Sequence, residues 1–268
     1  MKRSWYAAPY ALWMLMFTVV PLLFVVYYAF TTKAGDFTTA NLTKIFAYSP
    51  VLLDSLRLAL YCTLTCLVIG YPAAWFMAST FSRSKALTVL ILLPMWMNFL
   101  LRTYAMMTLF ENNGVINSLF EAVGLPKQTM IGTEGAVLVG MVYNFLPFMI
   151  LPIYTVLSKL DARVIEAAED LGANPIRVMT RVVMPLSIPG VVSGITMVFM
   201  PAVTTFAISR LMSSGTIYLM GDMIEEYFIS MNNRNVGSAM SLVMMVLILI
   251  SIGLLRKADP EGQGGGMW

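Results

Sequence analysis

Histidine is absent from all 268 residues of this chain. Zinc-peptidase helices, histidine triads and histidine proton relays are therefore excluded together. Charge is scarce as well: charged residues make up 12% of the chain against 59% hydrophobic ones, which excludes an ordinary soluble domain. Only two cysteines occur, Cys62 and Cys66, four apart inside an apolar run. That spacing puts both on one helix face, where small apolar packing is expected in place of a disulfide or a metal site. No GxxxxGK[ST] phosphate loop is present, so the chain has no such means of binding and hydrolysing ATP. GxSxG and paired acids within the apolar runs are missing too, which leaves an intramembrane hydrolase or an ion-driven secondary carrier without a constellation to work with.

What is present is apolar sequence in long runs. Crossing a hydrocarbon core of about 30 Å takes about 20 helical residues. Six runs reach or approach that length: Ala7 to Phe30, Leu58 to Ala78, Ala86 to Leu109, Ala136 to Leu157, Ile188 to Ile208 and Val236 to Leu255. The alternating ten-residue strands of a barrel are absent, so helices are the spanning solution that satisfies the backbone. The expected class is an all-α polytopic membrane protein with a single transmembrane domain over 1–258 and a polar, Gly-rich tail, disordered, at 259–268. The first run follows Lys2 and Arg3 but is too long for a signal peptide and lacks its cleavage pattern, so it is expected to be retained.

Lysine and arginine in the connections set the orientation. One side holds Lys2, Arg3, Arg83, Lys85, Lys159, Arg163, Arg177, Arg181, Arg256 and Lys257; the other holds Lys33, Lys44, Lys127, Arg210 and Arg234. That bias puts both termini and the loops 79–85 and 158–187 in the cytoplasm, with 31–54, 110–135 and 209–235 outside. The formal charge of +3 is a topology signal and does not point to nucleic acid. Prolines punctuate the runs, and Gly190 and Gly194 form a GxxxG pair that permits close helix contact. The 23 methionines read as adaptable packing. Asp54 and Arg57 are expected to pair along one helix, and Arg102 either snorkels to headgroups or pairs with Glu111.

Loop 158–187 carries its own pattern. Asp161 is placed to cap a short helix whose apolar face is Val164, Ile165, Ala168 and Leu171. Gly172 suits the left-handed residue that ends it. Asn174 then caps a second helix with Pro175 at its first position, Ile176, Met179, Val182 and Val183 on one face, and Arg177, Thr180 and Arg181 on the other. Pro185 is expected to stop that helix before the fifth run begins.

Glu166-Ala167-Ala168, three residues, Gly172, nine residues, then Val182, one residue, Met184 and Pro185 make up a spaced motif. It resembles the "EAA" loop of the permeases of bacterial ABC importers. The resemblance implies a type I importer fold of six transmembrane helices and a non-catalytic subunit. Its cytoplasmic helix–Gly–helix loop would couple to a separate ABC ATPase dimer through Glu166, Ala167, Ala168, Asp170, Leu171 and Gly172. ATP and Mg²⁺ would belong to that partner, leaving this chain without a cofactor. Further segments are similar to the B-type spermidine/putrescine permeases: Gly70 to Phe76, Leu93 to Tyr104, Val142-Tyr143, Leu146 to Met149, and Leu160-Asp161. This implies a bacterial cytoplasmic membrane, a second homologous permease and an extracytoplasmic polyamine-binding protein.

For a polycationic cargo, Trp96 and Tyr104 offer cation–π faces and Asn98 a carbonyl oxygen. Asp222, Glu225 and Glu226 in the last outer loop would attract ammonium groups. Arg210 departs from the pattern, standing where many relatives carry an acid before Leu, so another small solute such as ferric iron, thiamine or an anion stays open.

Overall fold

The computed structural model describes residues 8–80, 93 and 95–258, and among these it is built of helices and their connections. The expected tail 259–268, most of the inner loop 79–85 and the first part of the third run lie outside the described residues. Helix α1 spans 8–29, α2 is Ala40–Ile45 and α3 is Ser49–Thr80. Then come α4 at Phe99–Phe110, α5 at Val115–Ala122 and α6 at Glu134–Leu157. Helix α7 is Ala162–Asp170, α8 runs Pro175–Thr204, α9 is Ala207–Ser213, α10 Met220–Ile229 and α11 Arg234–Ala258. Five helical stretches among the described residues are long and apolar enough to cross a membrane: those of α1, α3, α6, α8 and α11.

The core lies where α6 is packed between α3 and α8. On α3 the buried positions are Ser55, Leu58, Ala59, Cys62, Thr63, Cys66, Gly70, Tyr71, Ala74 and Met77. They recur at steps of three and four, which makes one helix face. Both cysteines sit in that stripe as free thiols, the packing role expected of them. Helix α6 answers with Val137, Met141, Met149 and Ile153, all fully buried. Where α8 crosses it, a Cβ built on Gly190 would stand 2.9 Å from the Pro152 carbonyl oxygen and 3.0 Å from the Ile153 Cα. At Gly194 it would stand 2.8 Å from the Met149 Sδ. The glycine pair thus lets two backbones touch. A buried hydrogen bond of 2.8 Å between the Tyr71 and Ser187 hydroxyls ties α3 to α8 as well.

Helix α1 is different: its spanning window buries nothing, and it is apolar all round, as a helix facing lipid or a partner helix must be. Two asparagines from elsewhere donate to carbonyls at and just beyond its C-terminal end. Asn41 Nδ2 donates to the carbonyls of Ala29 at 3.2 Å and Thr31 at 2.9 Å, and Asn235 Nδ2 donates to Thr31 at 2.6 Å. The expected Asp54–Arg57 pair forms at 3.4 Å, and Arg57 also binds Glu134 at the start of α6.

Two expectations about boundaries need correction. Pro185 does not stop its helix: α8 is continuous from Pro175 through a π turn at Met179–Val183 into Met184–Thr204. The Met184 N–H reaches back to the Met179 carbonyl, so the wide turn takes up the disruption that a proline ring imposes on the turn before it. The same arrangement precedes Pro21, where the Val20 N–H bonds the Leu15 carbonyl. The third run is also not one uninterrupted helix. Asn98 is extended (φ −55°, ψ 131°) and starts α4 afresh, its side chain accepting from the N–H groups of Leu100 at 2.9 Å and Leu101 at 3.3 Å.

Candidate functional site

Two features at opposite ends of α8 carry chemistry, about 45 Å apart for 30 residues of helix. The first is the elbow formed by α7 and the start of α8. Asp161 accepts from the Arg163 N–H at 3.0 Å and Asn174 from the Arg177 N–H at 2.8 Å, so both helices start on the caps the sequence predicts. Between them Gly172 has φ +81°. The Gly172 N–H bonds the Glu169 carbonyl at 2.8 Å and the Ala173 N–H bonds the Ala168 carbonyl at 3.1 Å, the paired bonds of a Schellman end.

The elbow's faces sort differently from the expected pattern. Ile165 and Ala168 pack inward, but Val164 is exposed and Leu171 is 89% exposed. In α8 the inward residues are Val178 and Val183, while Ile176 is 73% exposed. Glu166, Ala167, Asp170 and Gly172 are exposed too. The elbow therefore presents Leu171 and Ile176 on either side of a glycine bend, with small and acidic residues beside them.

The second feature lies in the connection from α8 to α11, built from α9 and α10. The sequence places three acids here, Asp222, Glu225 and Glu226, and the structure holds them in different ways. Asp222 is only 2% exposed. Its Oδ2 accepts from the Ser209 hydroxyl at 2.6 Å and from the Leu219 N–H at 2.9 Å, the second bond being half of a capping box at the start of α10. Burial pushes its carboxyl above the ordinary range, against the pull of those two donors and of Arg210. Glu225 is partly buried and ion-paired with Arg210. Tyr227 shares a hydrogen bond of 2.7 Å with Tyr48, which ties α10 to the first outer loop and pushes the Tyr227 phenol up to about 12.

A cleft of about 290 Å³ opens here, lined by Arg210, Tyr218, Asp222, Glu226 and Ser230 among others. Trp96, Asn98 and Tyr104 do not line it: Trp96 and Tyr104 are exposed, and the Asn98 oxygen is taken up in capping α4. Arg102 is buried instead of snorkelling, its guanidinium 5.9 Å from the centre of the Tyr143 ring. Ser209, the donor that orients Asp222, escaped sequence reasoning because a serine thirteen residues from an aspartate carries no pattern. Asp222→Ala is expected to cost about 1–3 kcal/mol, since it leaves the buried Leu219 N–H without its acceptor, while the Ser209 hydroxyl can fall back on the Phe206 carbonyl. The melting temperature of the detergent-solubilised protein measures this, and an unchanged value would show the carboxylate to be structurally idle.

Against this geometry stand the known proteins. Residues 67–261 match the model of a family described as binding-protein-dependent transport system inner membrane component. The spermidine/putrescine transport system permease protein PotB of Haemophilus influenzae is 35% identical over 92% of this chain and 90% of its own length. Its Escherichia coli namesake is 34% identical over 92% of this chain and 94% of its own. Among solved structures, a chain of a bacterial ABC transporter involved in the import of the acidic polysaccharide alginate superposes with a TM-score of 0.81. That match covers 96% of this chain and 97% of the other at 16% identity, a likeness of fold alone. A similarity that runs through most of the length, and not through one motif, makes the chain a member of the binding-protein-dependent transport system inner membrane component family.

Proposed function

We propose that this chain is the transmembrane permease subunit of an ATP-driven ABC importer that moves spermidine and putrescine into a bacterial cytoplasm. The observation that carries the cargo is 34–35% identity over 92% of the chain to permeases of the spermidine/putrescine system. The subunit is itself non-catalytic. A separate ABC ATPase dimer binds ATP and Mg²⁺, which agrees with the missing phosphate loop. A second homologous permease completes the pore, and an extracytoplasmic binding protein delivers the cargo. Both termini lie in the cytoplasm and six helices span the membrane, the third contributed by the run that contains α4; the lysine and arginine bias supports this orientation.

Coupling runs through the elbow. The ATPase covers Leu171 and Ile176, with Ala167 and Gly172 allowing close approach and Glu166 and Asp170 as polar anchors; their exposure supports this role. Because α8 is unbroken from Pro175 to Thr204, a tilt applied at the elbow is carried along its whole length and across the glycine contact with α6. Closure of the ATPase pair thus opens the cavity outward, and its reopening returns the cavity to the cytoplasm.

The test is uptake of labelled spermidine into proteoliposomes that hold the chain with its partner permease and ATPase, ATP inside and binding protein outside. ATP-dependent accumulation is the expected outcome. ATP hydrolysis without polyamine movement would leave the importer in place and remove the cargo.

A further inference from the structure

The cleft between α9 and α10 holds a polar atom that its own fold does not satisfy. Asp222 is 2% exposed, and while Oδ2 takes two hydrogen bonds, the buried Oδ1 has no hydrogen-bond partner. A buried carboxylate oxygen without a donor is unfavourable, and because Asp222 is one of the residues that line the cleft, a cation seated there would supply the missing donor. Glu226 lines the same cleft one helical turn further along α10, with no side-chain hydrogen bond or ion pair among the described residues. Residues four apart on a helix stand side by side, about 5–6 Å between Cβ atoms. Tyr218, half-exposed, supplies an aromatic wall. With Glu225 engaged by Arg210, the acids Asp222, Glu225 and Glu226 and the one guanidinium leave the locality two negative charges in excess.

We propose that this cleft is a seat for a diammonium ion, one ammonium donating to Asp222 Oδ1 and the other to Glu226, with the alkyl chain against Tyr218. The inference rests on the polyamine reading above and places the cargo's first contact with this chain on the side of α8 away from the elbow. Arg210 has a definite part in it: by holding Glu225, the guanidinium keeps a third carboxylate out of play, so the seat attracts a dication without trapping it. The departure at position 210 then reads as a device that tunes affinity and leaves a cationic cargo possible.

The experiment is equilibrium binding of labelled putrescine to the full chain in nanodiscs, with n-butylamine as competitor. Saturable binding that the monoamine displaces poorly is expected. Glu226→Gln, which removes no internal contact, is expected to weaken binding about tenfold. Arg210→Gln is expected to tighten it several-fold by releasing Glu225, a gain that a purely structural ion pair would not produce. Asp222→Asn is read only if its melting temperature stays near that of the native chain, and is then expected to weaken binding; otherwise Glu226→Gln and Arg210→Gln decide. Wild-type binding with both of those variants unchanged would overturn the seat while leaving polyamine import intact. An assembled transporter that moves no polyamine, together with chain binding that Glu226→Gln abolishes, would keep the seat and sink the import reading. No saturable binding of putrescine at millimolar concentration overturns the seat outright.

Discussion

Gly172→Val is expected to abolish ATP-driven uptake, a loss of about a hundredfold or more, while the helical bundle melts within a few degrees of the native protein. Nothing lies within 4 Å of where the new Cβ would go, so the substitution meets no internal clash. Its cost is local: a β-branched residue held at φ +81° is disfavoured by at least about 1–2 kcal/mol. The chain relieves that strain by opening the paired hydrogen bonds to Glu169 and Ala168, which redirects α7 relative to α8. Leu171 and Ile176 then no longer face a partner together. Gly172→Asn separates two causes, since asparagine tolerates the left-handed region and keeps the bend. If the ATPase seats itself over the bare glycine, Gly172→Asn also loses uptake by more than about tenfold. Native uptake in that variant would restrict Gly172 to its backbone role. Uptake and melting temperature of the reconstituted variants decide among these.

Gly190→Ala is expected to destabilise the bundle by about 1–3 kcal/mol, more than Gly194→Ala does. At Gly190 the intruding methyl meets the backbone of α6, the Pro152 carbonyl oxygen at 2.9 Å and the Ile153 Cα at 3.0 Å. Backbone yields only if the helices move apart, and that would loosen the packing of α8 on α6 around the contact. At Gly194 the nearest atom, at 2.8 Å, is the Met149 sulfur, which turns aside by rotation about its own bonds. Gly190→Leu carries the argument further and is expected to prevent assembly of a folded chain. Melting curves of the two alanine variants test the ranking. Equal melting temperatures would show that helix approach at this crossing is looser than these distances demand.

Much of this arrangement is legible in the sequence because it depends on local chemistry. The caps Asp161 and Asn174 and the left-handed Gly172 follow from side-chain reach and φ preferences over three or four residues, and the chain folds there as those rules require. The apolar runs announce membrane helices because the bilayer demands their length and composition. Periodicity failed where a neighbour overruled it. It grouped Val164 and Leu171 with Ile165 and Ala168, whereas only the latter pair packs, partly buried, against the core. Proline chemistry likewise made Pro185 a stop, whereas the π turn before it takes up the ring and the helix continues into the core.

The sequence by itself determined that this is an all-helical membrane chain of a known permease family, with an elbow in the loop 158–187 and a glycine pair for close helix contact. Only the tertiary structure decided how each acid of the last outer loop is held. Asp222, Glu225 and Glu226 are equivalent when read as a string. Their burial, the hydroxyl of Ser209 and the guanidinium of Arg210 come from other positions in the chain and make the three carboxylates unlike one another. Those partners are brought together by the packing of α9 against α10, and no spacing rule in the sequence records that contact.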